Sequence, residues 1–152
     1  MKTTLKNSLK NKLPKTRDTD KRYSYLYIFK LVSKQPVVPE ELKKLFEQFH
    51  ESNSKKDDRK KIKLCKLNNQ PKLVNVLYVG QSKTLITRFW QHMGYGHKGT
   101  YSMHLKHWLK GFDKPLNFSY YEFPEYSNDT IQALEDGLWD ILMPMFGKKG
   151  SK

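Results

Sequence analysis

Polar and apolar positions follow no clear period up to residue 22, and from Tyr23 the character changes abruptly. Tyr23-Ser-Tyr-Leu-Tyr-Ile-Phe-Lys-Leu-Val32 is rich in aromatic and β-branched residues and predicts a strand over 23–32. Leu42, Leu45, Phe46 and Phe49 recur at helical spacing and predict a helix over 40–50. A charged stretch over 51–61 reads as an exposed loop. A hairpin is expected next, with arms at 62–67 and 73–79 and a turn at 68–71. Gly80 ends the second arm, and Ser82 is the expected N-cap of a helix reaching Met93. Residues 94–99 are glycine-rich and predict a flexible loop. A helix over 101–110 would turn Tyr101, Leu105, Trp108 and Leu109 inward. A third strand is expected over 116–123. A final helix over 130–142 would be capped by Asn128 or Asp129 and closed by Pro144 and Gly147. Together these elements predict an α+β fold, a small antiparallel sheet covered by helices.

A chain of 152 residues has room for one such domain, at 23–150, preceded by an arm at 1–22 with eight basic residues and two acids. That arm reads as flexible and basic, serving either contact with a partner or solubility alone. The formal net charge of +14 changes the picture most. So large an excess opposes compaction by self-repulsion and usually matches a polyanion. Nucleic acid is the commonest, because neutralised phosphates release counterions. No apolar run is long enough to span a membrane, and no signal peptide is legible. A single cysteine, Cys65, excludes an internal disulfide and a cysteine-built zinc site, which fits a cytoplasmic protein.

Candidate chemistry begins in the helix after Gly80. Arg88 and His92 lie four apart, one turn from each other, beside the stripe of Leu85, Phe89 and Met93. This predicts both at the rim of a groove. There Arg would grip a phosphate with a planar fork of donors, and His would move a proton near neutral pH. Taken alone, Arg88 reads more simply as a surface cation and His92 as a half-buried edge residue. In the last helix Ile131, Leu134, Leu138 and Leu142 form the expected buried stripe, and Glu135 falls in the same arc. A carboxylate there needs a partner, which is either an Arg in an ion pair or a bound cation such as Mg²⁺. Tyr27 and Tyr78 occupy strands, where tyrosines usually serve packing. His104 and His107 invite a zinc reading with His92 or His97, but no cysteine or suitable acid accompanies them.

Tyr78-Val-Gly80 followed by Ser82, Arg88 and His92 resembles the second motif and first helix of the GIY-YIG nucleases. Tyr25-Leu-Tyr27 resembles a degenerate first motif, and Ala133-Leu-Glu135 with Trp139 and Pro144 resembles the glutamate helix of that family. The resemblance spans about residues 23–150 and implies a small three-stranded antiparallel sheet flanked by helices. It implies an endonuclease that hydrolyses DNA phosphodiester bonds with one divalent cation, Mg²⁺ or Mn²⁺, held by Glu135. Arg88 would stabilise the scissile phosphate, Tyr27 and Tyr78 would orient or activate the attacking water, and His92 would assist.

Three positions depart from the family pattern. Tyr25 stands where Gly is usual, Phe146-Gly147 follows Pro144 where Asn is common, and about fifty residues separate Tyr27 from Tyr78. Residues 33–72 therefore read as an insertion, as in some restriction-enzyme members. Phosphate contacts are expected at Lys55, Lys56, Arg59, Lys60 and Lys61 of this insertion, at Lys83, and at His97 and Lys98 of the glycine-rich loop. The expected partner is double-stranded DNA, with RNA the alternative, and a palindromic site would imply a homodimer. A type II restriction enzyme fits the interrupted motif. A repair or mobile-element nuclease, a non-catalytic binder on this scaffold and a ribosome-associated RNA binder compete with it.

Overall fold

The computed structural model describes residues 20–32, 39–68, 75–110, 112 and 115–150. Most of the basic arm and the turn at 69–71 lie outside the described residues. The elements run β1 (Tyr23–Leu31), α1 (Pro39–Ser54), β2 (Val76–Ser82), α2 (Leu85–Met93), α3 (Leu105–Trp108), β3 (Leu116–Pro124) and α4 (Asn128–Leu142). The expected α+β architecture is present, with one three-stranded antiparallel sheet in the order β2-β1-β3. β1 is central. It pairs with β3 from Tyr23 opposite Pro124 to Leu31 opposite Leu116, and with β2 from Tyr25 opposite Ser82 to Phe29 opposite Tyr78.

Strand alternation divides β1 into two faces. Tyr25, Tyr27, Phe29 and Leu31 point into the main core, where Phe29 is fully buried against Phe89 at 5.8 Å and Phe118 at 4.8 Å between ring centroids. A buried aromatic of this kind contributes about 3–5 kcal/mol. Phe46 of α1 meets Trp108 edge-on at 5.4 Å, and both rings pack on Phe146. α4 covers the opposite face, joined to β2 by a bond from Gln81 Nε2 to Gln132 Oε1 of 2.9 Å. Tyr25 lies within β1 rather than at a turn and packs edge-on to Tyr120, so the missing glycine crowds nothing there.

The structure corrects several expectations. Residues 62–67 do not form a hairpin with β2. Leu64 bridges Ser102 and Leu67 bridges Phe146, while β2 pairs with β1 on one side. On its other side, Met145 N–H donates to Val76 O (3.0 Å) and Phe146 N–H to Leu77 O (2.8 Å). The C-terminal segment thus takes the edge that a hairpin arm would have used. The helix expected over 101–110 contracts to α3 because Ser102 is drawn into pairing with residues 63–65, and Tyr101 is 63% exposed rather than inward. Leu134 is exposed although the stripe predicted it buried. Ser127, not Asn128 or Asp129, caps α4, its Oγ accepting from Thr130 N–H. Ser82 Oγ accepts from Thr84 N–H (2.9 Å), and α2 starts three residues beyond Ser82. Among the described residues, no helix is long and apolar enough to cross a membrane.

Candidate active site

Tyr27, Tyr78, Arg88 and His92 come from β1, β2 and α2 and meet in one cluster. The rings of Tyr27 and Tyr78 stack at 6.1 Å, and the His92 ring lies 4.2 Å from that of Tyr78. Gly80 makes this possible. It sits opposite Tyr27 in the sheet, and a Cβ there would stand 2.6 Å from Tyr27 Oη and 2.7 Å from Tyr78 Cε1. The glycine of Tyr78-Val-Gly80 is thus a demand of close approach, not of turn geometry. Gly147, at φ +95°, leaves similar room on the other side of Tyr78, where a Cβ would lie 2.9 Å from its ring.

Sequence periodicity placed His92 at a groove rim; it is fully buried. Burial holds its imidazole well below the ordinary range, with the charge of Arg88 acting in the same direction, so it is neutral. Its Nδ1 accepts Met103 N–H at 3.3 Å, which leaves the proton on Nε2. Nε2–H therefore donates to Tyr27 Oη at 3.1 Å. Arg88 Nε–H donates to the same oxygen at 3.3 Å. Tyr27 is 1% exposed, and burial raises its phenol far above the ordinary range. His92 and Tyr27 together form a dry, neutral support that fixes the guanidinium.

Arg88 is the working end of that support. Nη1 donates to Gln91 Oε1 (2.9 Å) and Nη2 to Tyr101 O (2.9 Å), so the fork is held at all three nitrogens. Arg88 also hydrogen-bonds the Tyr78 hydroxyl, and the rest of its donor capacity is left for an incoming anion. Arg88 and Tyr78 line a cavity of about 400 Å³ together with Lys66, Tyr101 and Lys148. Tyr78, unlike Tyr27, thus faces open space. Burial raises its phenol, opposed by the charge of Arg88.

Glu135 is 5% exposed, as its place in the apolar arc required. Gln132 Nε2 donates to it at 3.2 Å and to Asp136 at 3.0 Å, so one amide serves two carboxylates. Burial, then the neighbouring Asp136, pushes its carboxyl up to about 7, opposed by Gln81, Gln132 and Arg88. Its charge acts in turn to raise the phenols of Tyr27 and Tyr78, as the least of the causes at each. Among the described residues there is no group of three or more His, Cys, Asp and Glu side chains arranged to hold a metal. A single desolvated carboxylate with an acidic neighbour nevertheless suits a hard divalent cation, which commonly takes one or two protein carboxylates and keeps its waters.

The phosphate contacts expected from sequence divide. Arg59, Lys61, His97 and Lys98 line a second cavity, of about 900 Å³. Lys55 is tied to Glu51 at 3.0 Å, Lys56 lies over the Phe49 ring, and Lys60 and Lys83 are exposed outside that lining. His104 Nε2 bonds Thr100 O at 2.9 Å. Sequence reasoning missed Gln91, Gln132, Lys148 and the carbonyl of Tyr101. Gln91, three residues after Arg88, was within reach of a helical-spacing argument; the Tyr101 carbonyl was not. The chain matches no protein-family model, no curated protein and no solved structure.

Proposed function

We propose that this chain is a metal-dependent DNA endonuclease of the GIY-YIG type, with its active site at Tyr78, Arg88 and Glu135 and with Tyr27 and His92 as positioning residues. One observation carries the reading. β1 and the distant, consecutive β2 and α2 bring two tyrosines, a tethered guanidinium and a neutral histidine together beside a cavity whose other charges are Lys66 and Lys148. A solvated surface arginine would have no need of three acceptors and a buried histidine behind it.

In this reading a backbone phosphate enters the cavity and takes the donor capacity of Arg88 that its protein partners leave. Those donors are set in advance, so they stabilise charge as it builds on the phosphoryl oxygens without reorganisation. The Tyr78 hydroxyl orients the attacking water. Burial keeps it protonated, which favours orientation over proton removal. Mg²⁺ or Mn²⁺ at Glu135 would supply Lewis-acid activation of a phosphate oxygen and lower the pKa of bound water. Double-stranded DNA is the proposed substrate, drawn in by the basic surface.

The test is incubation of supercoiled plasmid with native protein in Mg²⁺, Mn²⁺ or EDTA, beside Glu135→Ala. Discrete fragments that need metal and vanish in the variant are expected. Binding without cutting in either metal would overturn the catalytic reading.

A further inference from the structure

The two basic cavities adjoin, since Leu64 and Tyr101 line both. Their common floor is built, not accidental. Lys63 N–H donates to Lys98 O (2.8 Å) and Cys65 N–H to Ser102 O (3.0 Å). The buried Asn53 clamps the loop after α1, donating to Ile62 O at 2.9 Å and accepting from Ile62 N–H at 3.0 Å. Beyond Tyr101 the track is lined by Arg59, Lys61, Lys63 and Lys98; its one lining acid, Asp58, is engaged by Lys61 at 2.7 Å. Tyr101 stands between this stretch and Arg88. Its carbonyl holds Arg88 Nη2, and its ring is exposed, with Lys63 Nζ 5.4 Å from the ring centroid.

An exposed aromatic between two phosphate-binding stretches has nothing to stack on in an intact duplex, whose bases are occupied with one another. An unpaired strand presents a base to it, and a cationic track with an aromatic platform is how single strands are held. We infer that the DNA strand leaving the Arg88 pocket is bound unpaired along this track, with a base stacked on Tyr101 and phosphates on Arg59, Lys63 and Lys98. The inference rests on the nuclease reading and names its substrate more closely, as duplex DNA with a single-stranded branch or tail at the cut.

The test measures binding by fluorescence anisotropy in EDTA, comparing a blunt duplex with the same duplex carrying a short single-stranded tail. Native protein should bind the tailed form about tenfold more tightly, the scale of one stacked base. Tyr101→Ala should lose that preference. Tyr101→Phe should keep it. Equal affinity of native protein for both forms, or a preference that survives Tyr101→Ala, would overturn the inference. Metal-dependent cutting is scored separately on the same DNAs. Cutting without a tail preference overturns this inference alone; a tail preference without cutting overturns the nuclease and leaves the strand track standing.

Discussion

On the α2 face of the sheet, Tyr27, His92, Arg88, Gln91 and the carbonyl of Tyr101 satisfy one another, whereas on the α4 face Glu135 has only the amides of Gln81 and Gln132, the second shared with Asp136. The first face lost water and replaced it with fixed partners. The second lost water and gained too little, and the carboxyl has risen to about 7 in consequence. The contrast teaches where a ligand would do most. An anion meets donors already aimed on one side, while on the other a cation would relieve a cost that folding left in place.

The largest effect expected follows from that cost. Glu135→Gln should abolish metal-dependent cleavage and, above neutral pH, raise stability. The folded carboxyl titrates near 7 against 4.5 for the ordinary side chain, so the native state binds the proton more tightly than the unfolded chain. Stability is therefore lost as pH rises from 4.5 through 7, by at most about 3 kcal/mol at 1.4 kcal/mol per pKa unit. Because His92, held low, contributes the opposite slope, the fall should appear as the difference between native protein and variant in denaturant unfolding in EDTA between pH 4 and 8. A difference that does not change with pH would mean that Glu135 is better solvated than its burial indicates.

Arg88→Lys tests the other face. An ammonium cannot reach Tyr27, Gln91 and Tyr101 as a planar fork does, so charge survives while aim is lost. Turnover should fall about 10²–10³-fold, the scale of losing one preset donor to a developing anion. Plasmid-cleavage rates would check it, and near-native turnover would show that charge alone suffices.

The α+β class and the antiparallel sheet were legible because β1 and β3 carry dense aromatic and β-branched runs and α4 a clean apolar arc. Glu135 was legible for the same reason, since one polar position in an apolar arc is a local anomaly. The Arg88–His92 spacing was visible too, but its meaning was half wrong. A four-residue interval says that two side chains share a helix face, not which one faces the core, and His92 lies inside because Tyr27 and Met103 receive it there. What stayed illegible depends on long-range pairing. The use of the β2 edge by Met145 and Phe146, and the turning out of Tyr101 by the Ser102 pairing, leave no periodic trace in either segment.

The two tyrosines separate support from chemistry. Tyr27→Phe leaves His92 Nε2–H and Arg88 Nε–H facing a ring edge in a dry site, so stability should drop by about 1–3 kcal/mol. Tyr78→Phe removes a hydroxyl that lines the open cavity, and should change stability little while lowering turnover about tenfold or more. Thermal unfolding and cleavage rates measured on both variants would decide. The reverse pattern, with Tyr78 stabilising and Tyr27 dispensable to the fold, would invert their roles.

The smallest effect expected concerns Asp136, whose negative charge, after burial itself, holds the Glu135 carboxyl up. Asp136→Asn keeps an oxygen able to accept from Gln132 Nε2 and from Gly150 N–H, which now lie at 3.0 Å each, and so preserves the local geometry. It removes only the like charge. Ionised Glu135 is then favoured, its folded carboxyl moves down towards 4.5, and the pH window over which stability is lost should narrow from its upper end. The shift should be under about one pH unit, because a partly solvated neighbour is the lesser cause beside burial. The readout is the same pH series of denaturant unfolding in EDTA. An upper end that moves towards higher pH would give the charge of Asp136 the wrong sign, and one that stays fixed would leave burial as the sole cause of the anomaly on the α4 face.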